Sequence, residues 1–134
     1  MDNKTYQKSA LRTNGPDYEG AAGRVTGGYN SDWGKKELDL LHASMGLVTE
    51  AGEFQDALKK HVFYGKPLDK VNLKEEIGDL LWYCAIALEA LDTDFQAVMQ
   101  TNIDKLKARY PEKFTEEKAE NRDLDKERKI LENG

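Results

Sequence analysis

From Lys35 to Phe63 apolar side chains recur every three or four residues, at Leu40, Ala43, Leu47, Ala51, Phe54 and Leu58. That period is helical, so the stretch predicts one long amphipathic α-helix. Tyr64-Gly65-Lys66-Pro67 breaks it, because glycine and proline both oppose helix continuation. A second stripe, Leu73, Ile77, Leu80, Cys84, Leu88 and Leu91, predicts a helix over 73–91. Asn72 is its expected N-cap, with Glu75 three residues on as in a capping box. A third helix is expected from Thr93 or Asp94 to Arg109, with Phe95, Val98, Met99, Ile103 and Leu106 inward. Tyr110-Pro111 ends it.

The flanks are less regular. Residues 3–13 predict a short helix with Tyr6, Ala10 and Leu11 on its apolar face. Asn14 to Gly34 holds six of the 11 glycines and predicts a long loop. No strand precedes it and no Lys-Ser/Thr follows, so it is no phosphate-binding glycine loop. The densely charged tail from Thr115 to Gly134 carries Leu124, Ile130 and Leu131, enough for a short docked helix or a fraying end. With no β-alternation and no repeat, the expected fold is all-α, a bundle of about four helices in a single domain, 1–134.

Composition narrows the function classes. The 134 residues suffice for a single core, yet only 39% are apolar and 34% are charged, so much helical surface meets water or another copy of the chain. A net charge of −5 argues against charge-driven binding of nucleic-acid polymers. It leaves room for a nucleotide, because divalent ions reverse the local sign of an acidic pocket. Cys84 is the only cysteine, which excludes an intramolecular disulfide and a thiolate metal site; its apolar neighbours place it in the core. The polar N-terminus leads into no apolar run, and the longest such run, Leu80 to Leu88, is too short to span a bilayer. The expectation is a soluble cytoplasmic protein without a membrane partner.

The chemistry lies in two acidic pairs. Glu50 and Glu53 stand on the first long helix, Glu76 and Asp79 on the second. A spacing of three turns a helix through about 300°, so each pair projects from nearly one side. Glu50 lies about 60° from the centre of its apolar stripe and Glu53 about 120°. Charges this near a core are costly unless paired or bound to metal. Because the two helices are joined by a short break they should pack antiparallel and bring the pairs together. Four carboxylates would then form an oxygen cage for Mg²⁺ or Mn²⁺. Solvated acidic helix faces would explain either pair taken alone. Glu75 points about 100° away from Glu76 and is better suited to capping than to the cage.

A basic row complements the acids. Asn102, Lys105 and Arg109 fall within about 60° of one another on the third helix. An amide, a point charge and a guanidinium fork together suit a polyphosphate, although a solvated basic face has the same composition. Lys59, Lys60 and Lys66 surround the break, where surface solvation accounts for them as well as phosphate does. His42 and His61 belong to no metal or triad pattern and are read as structural.

These residues resemble a known family. Gly46-Leu47-Val48-Thr49-Glu50-Ala51-Gly52-Glu53, Glu75-Glu76-Ile77-Gly78-Asp79-Leu80-Leu81-Trp82-Tyr83, and Asn102-Ile103-Asp104-Lys105-Leu106 with Arg109-Tyr110-Pro111 are similar to three motifs of the all-α nucleoside triphosphate pyrophosphohydrolases. That superfamily includes MazG, the dimeric dUTPases and phosphoribosyl-ATP pyrophosphohydrolase; small MazG-like proteins of bacteria and phages are the nearest in pattern. The likeness spans 36–125 and touches Tyr6 to Thr13.

The resemblance implies Mg²⁺-dependent hydrolysis of a (deoxy)nucleoside triphosphate to monophosphate and pyrophosphate, with metal-activated water as nucleophile. Glu50, Glu53, Glu76 and Asp79 would hold the ions, Glu50 or Glu53 would accept the proton, and Lys105 and Arg109 would grip phosphate with help from Asn102. It also implies a homodimer or homotetramer. Some dUTP-directed relatives carry a further acid just before the first motif glutamate, where this chain has Thr49, which speaks against a strict dUTPase. A pyrophosphohydrolase of phosphoribosyl-ATP or an alarmone, and a catalytically silent nucleotide-binding adaptor, are the competing expectations. Trp33, Phe54, Tyr83 or the glycine-rich loop could stack on the base, although simple core packing accounts for such residues more often.

Overall fold

A computed structural model describes residues 1–26 and 34–133. Among these, every regular element is an α-helix: α1 (Asn3–Leu11), α2 (Tyr18–Thr26), α3 (Lys35–Tyr64), α4 (Lys70–Ala90), α5 (Phe95–Arg109), α6 (Glu116–Glu120) and α7 (Leu124–Glu132). They form two compact units, Met1–Asp92 and Thr93–Gly134.

The first unit is built on the α3–α4 pair, with α1 packed on α4 and α2 on α3. Lys36 meets Asp92, Gly46 meets Tyr83, and Glu50 shares a cluster with Asp79. Partners climb one helix as they descend the other, so the pair runs antiparallel. Gly65, at φ 64°, supplies the left-handed residue that ends α3, and its N–H bonds the Lys60 carbonyl. Asp69 then starts α4 by accepting from the Val71 and Asn72 N–H groups at 2.9 and 3.1 Å. The N-cap is therefore Asp69, not Asn72, and Glu75 is an exposed mid-helix residue with no capping role. Asp69 outcompetes Asn72 because its carboxylate reaches two otherwise unpaired amides just after the Pro67 break.

Two further expectations need correction. The segment 14–34 is not all loop, since Tyr18–Thr26 is helical. Asp17 accepts the Gly20 N–H at 2.9 Å and so caps that helix despite its glycines. Residues 27–33, with Trp33, lie outside the described residues. On α3 the buried face runs through Leu38, Asp39, Ala43 and Gly46, rotated from the expected stripe, while Leu40, Leu47, Phe54 and Leu58 are half-buried and Ala51 is exposed. Small residues at the centre let α4 approach closely: a Cβ on Gly46 would meet the Tyr83 ring at 2.1 Å.

In the second unit α5 packs against α7. The expected inward residues Val98, Met99 and Ile103 are 45%, 47% and 46% exposed, because the short α7 covers little of them. On α7, Leu124 and Leu131 are also exposed. Its buried residue is Glu127, held between Arg109 and Arg122. The docking of α7 is thus centred on a polar contact.

Candidate metal and phosphate site

Three of the four predicted carboxylates converge. Glu50 from α3 and Glu76 and Asp79 from α4 each offer an oxygen, and these oxygens lie within 4.8 Å of one another. Antiparallel packing produces this directly, because residues three apart on α4 present neighbouring side chains to one turn of α3. Glu76 is buried at 4% exposure, Glu50 half-buried and Asp79 exposed, so the cluster opens to solvent on one side. Among the described residues no lysine or arginine pairs with any of the three.

The electrostatic consequence falls on Glu50. Burial, and then the neighbouring charges of Glu53, Asp79 and Glu76, push its carboxyl above the ordinary carboxylate range. Uncompensated negative potential of this kind is what a hard divalent cation relieves, and an all-oxygen donor set suits Mg²⁺ or Mn²⁺. The cluster therefore has the donor set and the charge that a divalent cation requires.

Glu53 stands outside the trio, exposed one turn along α3. It lines a groove of about 440 Å³ with Lys60, Lys66, Asp69, Asn72 and Glu76. Lys59 and Lys60 both pair with Asp56, at 2.5 and 2.6 Å. His61 Nδ1 contacts the Lys66 carbonyl at 2.8 Å. Thr49, at the position of the missing acid, directs its hydroxyl to the Gly46 carbonyl at 2.9 Å.

Asn102, Lys105 and Arg109 stand on α5 in the second unit. Asn102 and Lys105 line a groove of about 420 Å³ with Thr101 and Leu131. Arg109 is engaged: its Nε donates to Glu127 Oε1 at 2.8 Å and its Nη2 to Oε2. The two arginines bonded to Glu127 hold that carboxyl down to about 2. Sequence reasoning did not anticipate this occupant of the Arg109 fork, because Glu127 is 18 residues away along the chain. It also read Asn72 only as a cap and missed its contact with Glu76, to which its side chain donates at 2.6 Å; the i, i+4 spacing was the available signal.

Residues 40–114 match the MazG nucleotide pyrophosphohydrolase domain. The chain belongs to the MazG family. All four predicted carboxylates lie within the matched stretch, as do Asn102, Lys105 and Arg109. The MazG-like chain is also 36% identical over 77 residues to the Gene 37 protein of Mycobacterium phage L5, covering 52% of this chain and 65% of that protein. No solved structure matches. No helix among the described residues is long and apolar enough to cross a membrane.

Proposed function

We propose that this MazG-family chain hydrolyses (deoxy)nucleoside triphosphates to the monophosphate and pyrophosphate with the help of Mg²⁺. The observation that carries the reading is the convergence of Glu50, Glu76 and Asp79 from two antiparallel helices, inside the stretch that matches the MazG domain. Glu50, Glu76 and Asp79 would hold the ion, joined by Glu53, which lines a groove with Glu76. Bound Mg²⁺ would neutralise phosphate charge and make water a better nucleophile at neutral pH. Glu50 or Glu53 takes the proton from the attacking water. Asn102 and Lys105 offer phosphate an amide and a point charge. Arg109 joins them by exchanging the Glu127 carboxylate for phosphate, an equally good partner for a guanidinium fork. Exposed Met45, Val48, Ile77 and Leu81 suit burial against further copies in a homodimer or homotetramer.

The test is pyrophosphate release from a panel of canonical and modified ribo- and deoxynucleoside triphosphates, with Mg²⁺ and then with chelator. Metal-dependent release of monophosphate and pyrophosphate is expected, and it should be lost in Glu76→Gln. A folded protein that turns over none of the panel would refute the assignment.

A further inference from the structure

We infer that Asn72 is a positioning residue that sets the Glu76 carboxylate for cation binding; the inference rests on reading the acidic cluster as a metal site. Glu76 is the buried member of the trio, so its placement has the least freedom to be corrected by solvent. Asn72 Nδ2 donates to Glu76 Oε1 at 2.6 Å from one turn earlier on α4. The position of Asn72 is itself anchored, because its backbone N–H is bonded to the Asp69 side chain at 3.1 Å. A chain of contacts therefore runs from the helix cap, through Asn72, to the innermost carboxylate.

The chemistry of the donor matters as much as its place. A carboxylate offers about four lone-pair sites on two oxygens, so one amide N–H leaves capacity for an ion. An amide is neutral and orients the carboxylate without cancelling its charge. A lysine or arginine in the same place would compete with the cation. No such pair is made to Glu76 among the described residues. Partners of this kind fix the orientation of metal-binding side chains, and their loss typically costs about 10–100-fold in metal affinity.

The experiment is Mn²⁺ titration of the full chain, followed by the electron paramagnetic resonance of the free ion, for wild type, Asn72→Leu, Asn72→Ala and Asn72→Gln. Helical circular dichroism of each metal-free protein monitors folding. Asn72→Leu keeps the branched shape and removes the donor, so its Mn²⁺ affinity should fall by about 10-fold or more. Asn72→Ala should fall likewise, and it carries the test if the leucine variant does not fold. Asn72→Gln keeps an amide at the i, i+4 position and should restore most of the affinity. Wild-type affinity in folded Asn72→Leu or Asn72→Ala would overturn the positioning role alone. So would a loss that glutamine does not rescue. Absence of Mn²⁺ binding in the wild type would instead remove the metal reading, and this inference with it.

Discussion

Gly46→Ala tests the packing that creates the site. In the interior of a helix, alanine is favoured over glycine by about 1 kcal/mol, so on α3 alone the substitution should stabilise. Tertiary structure opposes this, since the new Cβ would lie 2.1, 2.2 and 2.3 Å from Cε1, Cζ and Cδ1 of Tyr83. Carbon atoms in contact prefer about 3.5–4.0 Å, so the ring or the helix must retreat by about 1.5 Å. The ring is hemmed in, with His42 edge-on at 5.5 Å between centroids and Trp82 at 4.8 Å. Overpacking a site that cannot give costs about 1–3 kcal/mol, and with both neighbours fixed the upper half of that range applies. The expected net effect is a loss of about 1–2 kcal/mol, after subtracting the propensity gain. Gly52→Ala on α3 and Gly78→Ala on α4 are internal controls: a Cβ at either meets nothing within 4 Å, so both should be neutral or stabilising. Urea unfolding followed by far-ultraviolet circular dichroism, without metal, reads all three. Adding Tyr83→Ala to Gly46→Ala should cost less than the two single losses combined, because the clash disappears with the ring. Gly46→Ala as stable as Gly52→Ala would refute the close crossing. The placement of Glu50 one turn beyond Gly46 would then need another explanation.

The other predictions concern charge. Mg²⁺ at about 100 times its dissociation constant should stabilise wild type by about 2.7 kcal/mol; Glu76→Gln should abolish the shift in a thermal melt, and an undiminished shift would place the cation elsewhere. Without metal, Asp79→Asn should melt at or above the wild-type temperature, since it relieves repulsion on Glu50, and a clearly lower melting temperature would count against charge crowding. The Glu127 carboxyl is lowered from 4.5 to about 2, so its ion pairs stabilise the folded chain above the ordinary carboxylate range and that contribution is lost as pH falls toward 2. Acid titration of Glu127→Gln should therefore show a smaller loss of stability across that window than wild type; identical curves would sink the idea. Asp69→Ala should cost about 1 kcal/mol through the lost cap, with no loss if Asn72 can cap in its stead.

Helical periodicity and the Gly65–Pro67 break located the long helices to within a few residues, because 3.6-residue spacing and backbone breakers are local properties written in adjacent positions. The two carboxylate pairs were legible for the same reason: spacing alone puts each on one side of its helix. Caps were harder, since Asp69 and Asn72 are both good N-caps and only the backbone path after Pro67 decides between them. The helical character of Tyr18–Thr26 was hidden by its glycines and became visible only through the Asp17 cap. What no local pattern contains is the relative rotation of packed helices. The Gly46–Tyr83 crossing turned the buried face of α3 away from Leu40, Leu47 and Leu58, brought Glu50 to Glu76 and Asp79, and left Glu53 on the groove side. The engagement of Arg109 by Glu127 is likewise a contact between distant parts of the chain. The sequence by itself determined which segments are helical and which acids could act; close packing, a property of pairs of surfaces, decided which of those acids meet.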